Sequence, residues 1–362
     1  MTTDQPIPLL DDVSRVQLVD KKNMLRLINE LPEQCETALG IGRSFAVEAL
    51  ETKPNVVFIT GVGDSGIAGD MAVASVSDET DVPVVSDHGG RLPKYVGEES
   101  LVLVVDYSGK SETTLRNYKE AKQRGAAVIC ITSGGKLLET ASTDGTRIIK
   151  ILPGQPKRTA IGYLFVPLIT ILEQCGLVSG LVDKLSYAIK LLKNVREALR
   201  FDNRTDRNVA KQAALALAGK SVVIFGAPGY REVVAGRWRI QFSANSKTPS
   251  SSSTFPNVID GEISGWELAE GQSKYLGFAF LKDREDKTEI NEQMNASIDL
   301  LSKFSVVELD IKGATTIEKL LYGIYLGDYI SLYLALLNEI DPSTNESVAF
   351  IESKLAEITT TE

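Results

Sequence analysis

The chain has 362 residues, 43% hydrophobic and 24% charged, and its 39 basic and 48 acidic side chains give a net charge of −9. That is the make-up of a folded protein long enough for two domains, and without a basic stripe it argues against a nucleic-acid partner. Cys35, Cys130 and Cys175 are far apart and odd in number, so they imply neither a disulfide framework nor a metal site.

The start, Met1-Thr-Thr-Asp-Gln-Pro, lacks the charged-then-apolar order of a signal peptide. No run of ~20 apolar residues is expected to span a membrane, and the expected location is the cytoplasm. Residues 12–52 read as helical, with Met24, Leu25, Leu27, Ile28, Leu31, Ala38, Leu39 and Ile41 at helical spacing. Short β-branched runs then alternate with helix-like segments, at 56–60, 82–86, 101–105, 127–131 and 148–151. This is the rhythm of βα units in a parallel, doubly wound sheet.

Residues 160–200 are mostly helical. A second series follows, with strands predicted at 220–225, 275–281 and 304–309, a Gly226-Ala-Pro-Gly229 turn, a long apolar helix at 316–338 and an amphipathic one at 343–358. The expected fold class is α/β, with two doubly wound parallel-sheet domains and helices on both faces. The predicted division is a helical arm at 1–35, a first domain at 36–160, a helical connection at 161–204 and a second domain at 205–362.

Chemistry concentrates in two loops that each follow a buried strand and open a helix: Gly61-Val-Gly-Asp-Ser-Gly66 and Asp106-Tyr-Ser-Gly-Lys-Ser111. Main-chain N–H groups, hydroxyls and a helix N-terminus together cradle an anion without a metal. The predicted phosphate-binding residues are Gly63, Ser65, Ser108, Gly109 and Ser111. Gly61, Gly63 and Gly66, with Asp87 after the next strand, also fit a dinucleotide fingerprint. The second loop argues against it, because a dinucleotide needs no hydroxyl-rich turn there. A nucleotide P-loop is excluded, since Val104 stands where it needs glycine. His88, the lone histidine, lies at the ligand edge of the second strand and could reach a ligand, although a turn histidine without that role is the commoner case.

The two loops resemble the sugar isomerase (SIS) domain. Leu92-Pro-Lys-Tyr95, Pro156-Lys-Arg158, Asn245-Ser-Lys-Thr-Pro249, Phe255-Pro256, Glu262-Ile-Ser-Gly-Trp266 and Leu326-Gly-Asp-Tyr-Ile-Ser331 extend the likeness over nearly the whole chain. Together they are similar to the bifunctional phosphoglucose/phosphomannose isomerases. The resemblance implies tandem SIS domains, a homodimer, a 6-phosphosugar at the carboxyl ends of the strands, and no cofactor or metal. It implies that Ser65, Ser108 and Ser111 hold the phosphate and that Arg158 stabilises the enediolate. Asp106 stands where the family more often has serine. A carboxylate there repels phosphate, so either it points away or the ligand differs.

Two further departures concern catalysis. The general base implied by the family is a glutamate just before Asn-x-Lys; here that position is Ala244. The ring-opening histidine is replaced by Asp260. Aldose–ketose isomerisation needs a base between C1 and C2 and a second acid/base group for the ring. Alanine carries no proton, and an aspartate ordinarily titrates near 4 against about 6.5 for histidine. Glu262 and Glu267 are the nearest candidates for a displaced carboxylate. The expectation is therefore a phosphosugar-binding protein with weak or altered isomerase activity. The alternatives are a non-catalytic sugar-phosphate sensor or partner protein and, behind it, an NAD-dependent oxidoreductase.

Overall fold

In the computed structural model the described residues are 9–46, 53–266, 269–286 and 289–359. The helical stretch predicted at 12–52 divides into α1 (Val13–Val19), α2 (Met24–Asn29) and α3 (Leu31–Ser44), with 47–52 outside the described residues. The break before α2 has a local cause. The Asp20 carboxylate accepts the Met24 and Leu25 N–H groups at 2.7 and 2.8 Å, and Asn23 turns left-handed at φ 57°. A side chain that satisfies these orphan donors makes a new start cheaper than continuing the helix. α3 runs without interruption through the 35/36 boundary drawn from the sequence.

Two parallel sheets follow. The first contains β1 (Val56–Thr60), β2 (Val84–Asp87), β3 (Ser100–Asp106), β4 (Ala127–Thr132) and β5 (Arg147–Lys150), in the order β2-β1-β3-β4-β5. The second contains β6 (Ser221–Gly226), β7 (Ser250–Thr254), β8 (Leu276–Lys282) and β9 (Ser305–Asp310), in the order β7-β6-β8-β9. The first four strands of each sheet are thus laid down on the same plan. In each, the chain goes outward from its first strand, then returns to that strand's other side. The crevice at the carboxyl ends of β1 and β3 is the topological switch point, where open α/β sheets bind ligands.

Alternation along β1 and β3 explains why these strands are buried throughout. Val57, Ile59, Leu101, Leu103 and Val105 face the main core, while Phe58, Val102 and Val104 face a smaller one with Leu115 and Tyr118 of α5 (Glu112–Gln123). The main core is continuous between the sheets. It passes through α4 (Asp64–Val76), α7 (Ile161–Gln174), α10 (Tyr230–Gln241) and α13 (Thr316–Leu337). α13 is long and apolar enough to cross a membrane, but it is almost wholly buried against α8 (Leu181–Leu199), α9 (Val209–Leu217) and α10. Its apolar surface is used within its own chain and leaves no face for a partner. At about 1.5–3 kcal/mol per large apolar side chain buried, this helix is a principal source of cohesion.

The sequence reading missed β7. Its five residues are Ser250-Ser-Ser-Ser-Thr254, with no apolar side chain to signal a strand, yet they pair in parallel with Val222–Gly226. The remaining helices are α6 (Gly135–Thr143), α11 (Asn257–Gly261), α12 (Glu289–Leu300) and α14 (Glu346–Thr359).

Candidate functional site: two loops at the switch point and a cleft of the second domain

The loops after β1 and β3 meet at the switch point, because these strands are neighbours. Gly63 has φ +62° and leads directly into α4. Ser65, in the first turn of α4, is fully buried, and its hydroxyl has no protein hydrogen-bond partner. A buried unsatisfied polar group costs about 1–3 kcal/mol, so an orphan at a helix N-terminus is a functional signal.

In the second loop Asp106 is the last residue of β3 and is buried. One carboxylate oxygen accepts the Ser111 N–H at 2.8 Å, and the other accepts the Ser108 hydroxyl at 3.2 Å. Asp106 therefore does not point away; it lies across its own loop. The Ser111 hydroxyl accepts the Thr114 N–H at 3.2 Å and caps α5. Gly109 has φ +66°, and a Cβ there would stand 1.8 Å from the Gly134 carbonyl oxygen. Only glycine lets the loops after β3 and β4 pass this closely.

Tyr107 ties a third segment to the cradle. Its hydroxyl donates to the Leu152 carbonyl and accepts the Gln155 N–H, both at 3.1 Å. That segment delivers Lys157 and Arg158. Lys157 Nζ donates to the Val62 carbonyl at 2.6 Å, setting a cation beside Gly63. Arg158 is buried; its Nη2 donates to the Pro342 carbonyl at 2.5 Å, and its Nε has no partner. The Asn345 amide is satisfied with its oxygen facing Arg158 Nη1 at 3.0 Å. Burial pushes the Arg158 pKa down; Asp64 and Asp341 oppose this and Arg237 adds to it.

Arg237 of α10 braces this arrangement from the second domain. Fully buried, it donates to Asp64 at 2.5 Å, to the Arg158 carbonyl at 2.6 Å and to Asp328 of α13 at 3.3 Å. Gln241 also donates to the Arg158 carbonyl, at 3.2 Å.

α10 ends in a π-helical turn, Phe242–Ser246, and Lys247 turns left-handed at φ 56°. This turn presents Ala244 to a cleft of about 590 Å³ that is also lined by Arg239, Lys247, Thr344, Asn345 and Glu346. Lys247 Nζ donates to the Ala244 and Thr344 carbonyls at 2.6 and 2.7 Å. Burial and then the nearby Arg158 push its pKa down. Among the residues lining this cleft Glu346 is the sole carboxylate, and it is exposed at the start of α14.

The other candidates stand apart. Asp260 is exposed on α11, and Glu262 accepts the Ser253 hydroxyl at 2.7 and 2.6 Å; neither lines the Ala244 cleft. Glu267 lies outside the described residues. His88 faces a different cleft of about 570 Å³ between α4 and α10; neither it nor the Ala244 cleft is lined by Ser65, Ser108, Ser111 or Arg158, but the Ala244 cleft borders Arg158 through Asn345. The His88 Nε2 is 2.8 Å from Asp70, which also accepts the Ser86 hydroxyl at 2.5 Å. The imidazole packs on Gly66, where a Cβ would stand 2.6 Å from its Nδ1.

The sequence reading passed over Lys157, Lys247, Asn345 and Glu346. The first two lie inside quoted segments, Pro156-Lys-Arg158 and Asn245-Ser-Lys247, where cations at a phosphate site were the available signal. Asn345 and Glu346 reach the cleft only through the turn that follows Pro342, which no local pattern announces.

Comparison with known proteins follows this division. Residues 50–157 match the SIS domain family and residues 206–355 match the bacterial phospho-glucose isomerase C-terminal SIS domain. The chain is 35% identical to a bifunctional phosphoglucose/phosphomannose isomerase of Caldicellulosiruptor bescii, over 92% of this chain and 99% of that one. It is 29% identical to the enzyme of the same name from Aquifex aeolicus, over 83% and 90%. Among solved structures, a hypothetical protein from Thermus thermophilus superposes with a TM-score of 0.74 at 14% identity, covering 97% and 95% of the two chains. The C-terminal domain of a Francisella tularensis glucosamine-fructose-6-phosphate aminotransferase does so at 0.64 and 15%, covering 89% and 97%. These structural likenesses establish the fold of two SIS-like α/β domains.

Proposed function

Because the chain belongs to the bifunctional phosphoglucose/phosphomannose isomerase family, we propose that it binds a 6-phosphosugar and isomerises it weakly or not at all. Ser65, Gly63, the Ser108–Ser111 loop and Lys157 would hold the phosphate end. Arg158 would lie toward the sugar carbons, next to the cleft that contains Ala244. One observation carries the reading: the site keeps its buried donors, including the orphan Ser65 hydroxyl, while the residue facing the cleft from the π-helical turn is alanine. Binding groups have been retained where the group that would move a proton has not.

Asp260 supports the same conclusion, since it is exposed and outside the cleft. No cofactor or metal is required by this chemistry. A homodimer is the expected assembly, and exposed Val348, Phe350 and Ile351 on α14 would be the surface it uses. A sugar-phosphate sensor or partner protein is the second reading, favoured by the same alanine.

The test pairs binding with turnover. Glucose 6-phosphate and mannose 6-phosphate are titrated calorimetrically into the purified protein, and fructose 6-phosphate conversion is followed by a coupled assay. Saturable binding with turnover at least a hundredfold below that of the Caldicellulosiruptor bescii relative is expected. Comparable turnover would overturn the reading, and so would the absence of binding.

A further inference from the structure

A phosphate dianion is held by converging donors, and two donors of the second loop are already engaged. The Ser111 N–H and the Ser108 hydroxyl both end on the Asp106 carboxylate, at 2.8 and 3.2 Å. Asp106 is the buried last residue of β3, between β1 and β4, and it is paired in register with Thr132. In the first loop, by contrast, the Ser65 hydroxyl is buried and unpartnered, and Lys157 stands beside Gly63. The cradle is therefore asymmetric: one half already holds an anion of the protein's own, and the other half has an unsatisfied hydroxyl.

The second sheet carries a related arrangement at its corresponding edge. Asp283, directly after β8, accepts the Tyr230 hydroxyl at 2.5 Å, the Glu285 N–H at 3.0 Å and Lys319 Nζ at 2.9 Å. Tyr230 opens α10 as Asp64 opens α4. An internal carboxylate gathering the donors at a sheet's ligand edge thus occurs in both domains.

Resting on the phosphosugar reading above, we propose that Asp106 sets the affinity of this site, a built-in carboxylate that fills part of the anion cradle and weakens its hold on a phosphate dianion. Two negative groups competing for one set of donors repel each other, and the repulsion is strong where water is excluded. The phosphate end is held from the Ser65 and Lys157 side.

Calorimetric titration of inorganic phosphate and glucose 6-phosphate into the wild-type protein and into Asp106→Asn and Asp106→Ser tests this, at one pH and ionic strength. Both variants are expected to bind both ligands at least tenfold more tightly than wild type. The asparagine keeps an acceptor for the Ser111 N–H, so it carries the test if the serine variant does not fold. Equal or weaker binding by a folded variant, with wild type still binding glucose 6-phosphate, would overturn the role of Asp106 and leave the phosphosugar reading intact. No binding by any of the three proteins would overturn both.

Discussion

Arg237 Nη1 lies 2.5 Å from Asp64 Oδ1, and this contact couples the second domain to the loop that opens α4 in the first. The same guanidinium supports the Arg158 carbonyl and shares Asp328. Burial pushes the Asp328 pKa up, and Arg237 pulls it back. One side chain therefore sets the relative position of the anion cradle and Arg158.

Removing it leaves two buried carboxylates without their cation. Arg237→Met is expected to destabilise the protein by about 3–5 kcal/mol, measured by urea unfolding. Arg237→Lys is not expected to rescue it, because a single ammonium cannot serve three acceptors in the fork geometry of arginine. A loss below about 1 kcal/mol would show that the cluster is not a brace.

Ser65→Ala separates a ligand-facing hydroxyl from a structural one. The hydroxyl has no protein partner, so its removal is expected to leave the free protein as stable or up to about 1 kcal/mol more stable. Glucose 6-phosphate binding should weaken at least fivefold in calorimetry. Destabilisation with unchanged binding would be the signature of a purely structural serine.

His88 provides a pH signature. Its hydrogen bond to Asp70 raises its pKa against a smaller opposing effect of burial, and the charges of Asp70 and Asp87 add to the rise. A raised native pKa means stabilisation that is complete below the unfolded value of about 6.5 and fades as pH climbs through the native one. Since the imidazole is half-exposed, the effect stays under about 1 kcal/mol. His88→Ala is expected to cost more stability at about pH 5.5 than at about pH 9, and NMR titration of the ring should give a midpoint above 6.5. Equal costs at both pH values would contradict the pairing.

Ala244→Glu returns a carboxylate to the cleft beside Lys247 and Asn345. It is expected to raise fructose 6-phosphate turnover at least tenfold over wild type, whereas Asp260→His alone, exposed and outside that cleft, is expected to change nothing. Any turnover of the wild type should depend on Glu346, so Glu346→Gln is expected to remove it. If Ala244→Glu gains nothing while glucose 6-phosphate still binds, the surroundings have changed by more than this side chain.

The strands of both sheets other than β7 were legible because each carries a short apolar run, continuous in the doubly covered central strands β1 and β3 and shorter in the edge strands β2, β5 and β9. The two loops were legible because glycine and serine at a strand's end have few uses there other than a tight turn or an anion site. β7 was illegible because its five hydroxyl side chains carry no hydrophobic pattern, and its place is set by Val222–Gly226 beside it. The direction of the Asp106 carboxylate depends on hydrogen bonds to residues 108 and 111, which composition cannot reveal. The helical character of 12–44 was legible, but not its break at Asp20–Asn23, where the Asp20 side chain caps the start of α2.

Gly66 has two tenants. On one side it lets the first loop turn into α4; on the other it leaves room for the His88 imidazole, which holds Asp70 and, through it, Ser86. A methyl group there would displace the ring from its carboxylate. The third glycine of what looks like a nucleotide fingerprint is thus required by a neighbour in a different cleft, so a side chain added there would disturb both the loop and the His88 pairing. A mutation selected for one ligand edge is filtered by the packing of the other.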